Sequence, residues 1–475
     1  MAYDFVGKKI ATSMNGAKNS RVYTQTLLGQ TIDENPVPEW TADPANDPFV
    51  TFQNSKNGKV WGFNKRQLAY GLLVVGAPGS GKTTCFNWLV KPILKNLKDG
   101  EVMVIFDPKG DYLREFGSYV SVNERIVIGV GDTYRNITSY HNLFAEVMPR
   151  AINGRLVYTL ESDDEAFELA LQLSKTMDSQ IQPVFPAMAA QMFAAGMIYL
   201  MRTYWQSDPS KLNNRELVDF FQQKTVDDLR KIFEEDSVKD LKSCLDYIGN
   251  KGNQTQGVMS YLGAMIRKLF IGPFAQADPA REFSMRDIMN SGKRKVIFIE
   301  YDLRKGNLIA PMYGMLIDRA LANALDGRSE YTGNKYMILD EALLLPRLDH
   351  LANSVNFGRS PSGTDAGVRV MCGLQNIAGI REIYGEAGAD NVLSSFQNLI
   401  SFKLCDYDTR QFVVNRLGEN YQNHSISAQQ NNLNVQREGH TVEDWQLINL
   451  GIGEAIVSLQ NEKPFFFRCQ TISGN

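Results

Sequence analysis

The stretch Gly76-Ala77-Pro78-Gly79-Ser80-Gly81-Lys82-Thr83-Thr84 decides the fold. It fits G-x-x-x-x-G-K-[ST], with Gly76, Gly81, Lys82 and Thr83 in the fixed positions. Glycines let successive backbone N–H groups turn inward as an anion nest, and a helix starting at the loop's end points its positive pole at the same place. Such a loop cradles the phosphates of a nucleotide. Lys82 is placed to reach the β- and γ-phosphates, and the Thr83 hydroxyl to ligate Mg2+.

The flanks agree with this reading. Leu72–Val75 is an apolar run feeding the loop, Thr83–Leu97 has helical spacing, and Val102–Phe106 is a second apolar run ending in Asp107-Pro108-Lys109-Gly110-Asp111. Strand, glycine loop, helix, strand opens a parallel α/β sheet, and Arg125–Val130 predicts a further strand. From about residue 150 to 290 strand-like runs vanish and helical periodicity takes over. Capping signals occur at Asn213/Glu216, Thr225/Asp228 and Ser284/Asp287. The β texture returns at Lys295–Glu300, Tyr336–Leu339, Val368–Cys372, Leu399–Leu404 and Ala455–Leu459. The expected organisation is therefore an irregular or mixed segment (1–65), a first part of the nucleotide-binding domain (66–150), an all-α insertion (151–290) and a second part of the nucleotide-binding domain (291–475). Residues 420–439, rich in Gln, Asn and Ser, read as a mobile surface loop.

A phosphate loop needs an acidic partner on a second strand. Lys335–Glu341, KYMILDE, supplies an apolar strand and then Asp340-Glu341. Asp340 would bind Mg2+ directly or through water, and Glu341 would polarise the attacking water as general base. The alternative is a pair of carboxylates capping the next helix. Gln375 ends the strand in VRVMCGLQN, where it could sense the γ-phosphate or orient the water, or simply occupy a turn. Arg359, in NFGRSPSGTDAG, could complete a neighbour's site as an arginine finger or be a solvated loop residue.

Composition narrows the class. The net charge of −3 confines any basic surface to one face or a pore lining. Five scattered cysteines, with no CxxC pair and no His/Cys metal spacing, point to a reducing, cytosolic compartment. The N-terminus has no signal-peptide run. The longest apolar stretch, Val184–Met201, contains Pro186 and Gln191 and is rich in Ala, Gly and Met, so a buried helix is expected rather than a membrane span. No GxSxG elbow or HExxH occurs.

VIFDPKGDYLREF (104–116) resembles the segment after the second core strand of type IV coupling proteins. These are ring ATPases of the FtsK–HerA superfamily, which feed DNA or protein into conjugation and secretion machines. The likeness continues in order through SYHNLF (139–144), MILDEALLLPRLDHL (337–351) and VMCGLQNIAGIREIYGEAGADNVLSSF (370–396). It ends with DYDTRQFVVNRLGEN (406–420) and GEAIVSLQNEKPFFFR (453–468), so it extends from about residue 65 to the C-terminus.

The resemblance implies a RecA-like motor domain that uses ATP and Mg2+. Lys82 and Thr83 would lie on nucleotide and metal, Asp340 and Glu341 would form the second acidic motif, and Gln375 would be the sensor. Arg359 falls about where the family carries its trans-acting arginine, and Lys109 and Asp111 either form a rigid turn or relay nucleotide state. It further implies homo-hexamers around a central DNA channel, with relaxosome or secretion-substrate proteins met through the helical domain. Three departures stand out. There are no N-terminal transmembrane helices, which leaves the anchor to a separate membrane subunit or the protein free in the cytosol. There is no long acidic tail, and the loop after Arg359 is longer than usual.

Two classes of function follow. One is an ATP-driven translocase delivering DNA, or a protein–DNA substrate, to a conjugation or type IV secretion system. The other is an ATP-gated recruitment hub that moves no DNA. A related cytosolic motor of DNA defence or mobile-element maintenance is a third possibility.

Overall fold

The strands of the large sheet form where the apolar runs lie. The computed structural model describes residues 21–32, 49–53, 60–175, 184–249, 252–325, 333–358, 366–428 and 431–469. In chain order its strands are β1 (Arg21–Gly29), β2 (Val50–Gln53), β3 (Val60–Phe63), β4 (Leu72–Val75), β5 (Val102–Asp107), β6 (Arg125–Gly129), β7 (Tyr140–His141) and β8 (Glu282–Phe283). There follow β9 (Lys295–Glu300), β10 (Lys335–Leu339), β11 (Val368–Leu374), β12 (Asn398–Ser401), β13 (Glu419–Ala428), β14 (Asn431–His440), β15 (Glu454–Ser458) and β16 (Phe465–Arg468).

Nine of these strands form one sheet, in the order β16-β15-β12-β4-β11-β10-β5-β9-β6. Its β4–β11, β4–β12, β5–β9 and β6–β9 pairs are parallel, and β15 and β16 add antiparallel edges. The fold is an α/β, RecA-like sheet interrupted by a helical insertion. The chain divides into two compact units, one of Met1–Asn96, Ile338–Leu343 and Arg369–Asn475, the other of Leu97–Met337 and Leu344–Val368.

In the first unit every residue of β4 is buried, as the strands of a sheet covered on both faces require. The helix Lys82–Asn96 buries Cys85, Phe86, Leu89, Val90, Ile93 and Leu94 along one face. An aromatic cluster closes this unit: Trp61 stacks on Phe52 at 4.6 Å and meets Phe63, Phe465 and Phe467 edge-on.

The reading of 420–439 as a mobile loop is overturned. β13 and β14 pair antiparallel from Glu419↔His440 to Ala428↔Asn431, and β1 pairs with the other side of β13. Asn420 Nδ2 donates to the Gln30 carbonyl at 3.0 Å, across 390 positions of sequence. Main-chain pairing with a distant third strand makes this sheet, and no local apolar alternation announces it.

In the second unit β5 is buried throughout and pairs with β9 along its whole length. From Leu160 to Met289 the described chain consists of helices joined by turns, and its one strand is the two-residue β8, which pairs in parallel with β7. The three expected caps form: Asn213 accepts from the Glu216 N–H, Thr225 and Asp228 close a capping box, and Ser284 accepts from the Asp287 N–H. The apolar stretch becomes the helix Val184–Tyr204, whose Met192, Phe193, Ala194, Met197, Ile198 and Met201 are buried. Among the described residues no helix is long and apolar enough to cross a membrane.

Candidate nucleotide-binding site

The loop at 76–84 leaves β4 and enters the helix that begins at Lys82. Gly81 has φ 121°, a backbone region closed to other L-residues. A Cβ at Gly81 would lie 3.2 Å from both the Gly453 Cα and the Phe402 ring, a tight approach that adds to the backbone demand for glycine. The backbone of the loop is tied at its start: the Gly76 N–H donates to the Leu374 carbonyl at 3.2 Å, and the Ala77 N–H to the Lys403 carbonyl at 2.8 Å. Lys82 is 8% exposed, and its ammonium donates to the carbonyls of Gly76 and Ala77. A buried ammonium held on flexible methylenes beside a glycine loop is placed where it would meet an incoming phosphate.

The acidic motif meets this loop. Thr83 Oγ1 donates to Asp340 Oδ2 at 3.3 Å, and Asp340 is 4% exposed at the end of β10. Gln375, just past β11, donates from Nε2 to Glu341 Oε2 at 2.6 Å. The hydroxyl and carboxylate that would hold a magnesium ion are thus in contact, hard oxygen donors of the kind that ion takes. The carboxylate expected to act as base is oriented by the expected sensor. A cavity of about 330 Å³ beside the loop is lined by Ala77, Pro78, Gln375, Asn376, Cys405 and Asp406, among others.

Arg359 lies outside the described residues. Lys403, Phe402 and Gly453 were missed by the sequence reading. They touch the loop through main-chain atoms or a ring edge, which no motif encodes.

In the second unit the DPKGD motif is a rigid turn. The buried Asp107 carboxylate accepts the N–H groups of Lys109, Asp111, Tyr112 and Leu113, capping the helix Asp111–Phe116. Its register partner on β9 is Glu300, 1% exposed. Burial, and next the Asp107 charge, push the Glu300 carboxyl up to about 8, while the Tyr134 hydroxyl donates to it at 2.9 Å. Among the described residues no group of His, Cys, Asp and Glu forms a metal cluster elsewhere.

A glycine loop, a buried lysine, a Thr–Asp pair and a Gln–Glu pair, set at the ends of parallel strands, have the layout of a nucleotide-binding site on a RecA-like α/β fold. Residues 55–450 match the family model of the type IV secretion-system coupling protein DNA-binding domain, and the chain belongs to that family. Among solved structures it is similar to the bacterial conjugative coupling protein TrwBdeltaN70 in its unbound form. The two share 20% identity over 94% of this chain and 95% of that one, with a TM-score of 0.72. The plasmid coupling protein TrwB in complex with ADP and Mg2+ gives 19% identity over 97% and 98%, with a TM-score of 0.71. VirB4 of Thermoanaerobacter pseudethanolicus is more distant, at 13% identity over 90% and 97% and a TM-score of 0.51. No curated protein matches the chain in sequence.

Proposed function

We propose that this protein is an ATP-hydrolysing coupling protein that moves DNA, or a protein–DNA substrate, toward a conjugation or type IV secretion system. The observation that carries the reading is the meeting of Thr83 with Asp340 and of Gln375 with Glu341 on one loop face. The family's description as a DNA-binding domain and the complex of TrwB with ADP and Mg2+ support it.

Residues 76–84 hold the triphosphate through backbone N–H groups, and Lys82 leaves the Gly76 carbonyl to bind its terminal oxygens. Thr83 and Asp340 would hold Mg2+, which when bound draws charge from the β- and γ-phosphate oxygens. Glu341 takes a proton from the attacking water, and Gln375 fixes the carboxylate that does so. Arg359 of a neighbouring subunit completes the site in a homo-hexamer. The helical insertion receives relaxosome or secretion-substrate proteins, and DNA is gripped through its phosphates without regard to sequence. The protein works on the cytoplasmic side, at the inner face of the membrane through a separate membrane subunit.

The test is the ATPase rate with and without single- and double-stranded DNA, together with particle size in a non-hydrolysable analogue. Stimulation by DNA that weakens with salt, in a hexamer-sized particle, is the expected result. Equal rates with and without DNA would leave a recruitment hub and remove the translocase.

A further inference from the structure

We propose that Gly453 is a positioning residue of the phosphate loop, turning the Ser80–Gly81 peptide so that the Gly81 N–H faces the bound phosphates. The inference rests on the nucleotide-binding reading and adds to it a residue 370 or so positions from the motif.

The Gly453 N–H donates to the Ser80 carbonyl at 2.9 Å. A trans peptide is planar, with its C=O and N–H pointing in opposite directions. Fixing the Ser80 oxygen outward on Gly453 therefore aims the Gly81 N–H inward. The first peptide of the loop obeys the same rule with the ends exchanged. There the Ala77 N–H is held outward by the Lys403 carbonyl at 2.8 Å, and the Gly76 oxygen points inward to the Lys82 ammonium. Each external anchor sets the direction of one peptide, and both come from the last quarter of the chain.

The Gly453 anchor is itself rigid. The Gly453 carbonyl accepts from the Cys469 N–H at 2.8 Å, and the Glu454 carboxylate accepts from the Gly451 N–H at 2.9 Å. Directly after it β15 pairs with β16, beginning at Glu454↔Arg468. Gly453 adopts φ 76°, which a β-branched residue cannot share without turning the N–H away from Ser80. A Cβ added here would have only the Cys469 carbonyl within 4 Å, at 3.5 Å, an ordinary contact, so backbone conformation makes this position sensitive.

Three variants and one exchange measurement separate positioning from general stability. Gly453→Val should weaken binding of ADP with Mg2+, and of inorganic pyrophosphate alone, by about tenfold or more. Gly453→Asn, whose side chain tolerates positive φ, should stay within about threefold of the parent protein. Gly418→Val is the control: Gly418 has φ 83°, lies in the same unit and has nothing within 4 Å of an added Cβ. It should lower the melting temperature and leave both affinities unchanged. Should Gly453→Val fail to fold, hydrogen exchange on the parent protein decides. The Gly453 amide should be protected without nucleotide, and the Gly81 amide should slow only when nucleotide is added. Parent-like binding by Gly453→Val, or rapid exchange at Gly453, overturns the proposal. A parent protein that binds neither ADP nor pyrophosphate overturns the functional reading instead.

Discussion

Thr83 and Asp340 stand 257 positions apart in the chain and 3.3 Å apart in space. Thr83 lies in the first turn of the helix after β4, and Asp340 at the end of β10, one strand beyond β11 in the sheet. The sheet order thus carries one member of each motif to a single point. A metal-binding pair assembled from two strands holds its geometry only while those strands keep their register.

Lys82→Ala should abolish nucleotide binding, because it removes the buried ammonium that lies against the Gly76 and Ala77 carbonyls of the loop. Glu341→Gln should bind nucleotide normally and lose turnover by about 100-fold or more, the range for a removed general base. Gln375→Ala removes the 2.6 Å bond that orients Glu341. A hydrogen bond to a charged group is worth about 1.5–3 kcal/mol, so kcat should fall about 10- to 100-fold while KM barely moves. Steady-state kinetics and titration calorimetry check all three, and a Gln375→Ala enzyme with raised KM and full kcat would refute the orienting role.

Stability should depend on pH through Glu300. Its carboxyl is raised from 4.5 to about 8 in the folded protein, chiefly by burial. Between those values the folded state keeps a proton that the unfolded chain has released. The contribution to stability is therefore complete below pH 4.5 and lost as pH rises through about 8. Glu300→Gln imitates the neutral acid, so its unfolding midpoint should fall less than the parent's between about pH 4.5 and 8. Denaturation curves with parallel slopes would refute this.

Thiol reactivity should be confined to one residue. Cys405 is exposed beside the phosphate loop, whereas Cys85, Cys244, Cys372 and Cys469 are buried. Burial pushes the Cys244 thiol up to about 11 and the Cys372 thiol further; the Cys85 thiol is raised by its Cys469 contact and by burial. A thiol-reactive dye should show one fast equivalent, and Cys405→Ser should remove it. A fast phase that survives Cys405→Ser would mean that a buried thiol opens to solvent.

Trp61→Ala should cost about 3–5 kcal/mol, the range for emptying a large aromatic from a core. The ring is 1% exposed and touches Phe52, Phe63, Phe465 and Phe467, so no neighbour can collapse into its place without moving a strand. Chemical denaturation measures the loss, and a change below about 1 kcal/mol would show that the cluster repacks.

The sheet was legible because buried parallel strands are written as unbroken apolar runs. Lys295–Glu300 matches its expected bounds, while the run read as Leu399–Leu404 ends as a strand at Ser401. The acidic pair was legible because side chains do its work. Three features were not. The β13–β14 hairpin is polar and takes its third strand from Arg21–Gly29, so periodicity is silent. Lys403 and Gly453 act through main-chain atoms, which every residue carries. The pairing of Asp107 with Glu300 depends on which strand lies beside β5, and local sequence does not contain that choice.

The neighbours of β4 also fix an order of events during synthesis. Both strands that flank it, β11 and β12, are encoded after residue 367. A nascent chain that has left the ribosome only as far as Glu341 already carries every fixed residue of both motifs, yet lacks the walls between which the loop is stretched. The walls of the loop therefore form only when the final hundred or so residues have emerged, and a chain cut at residue 341 has neither of them.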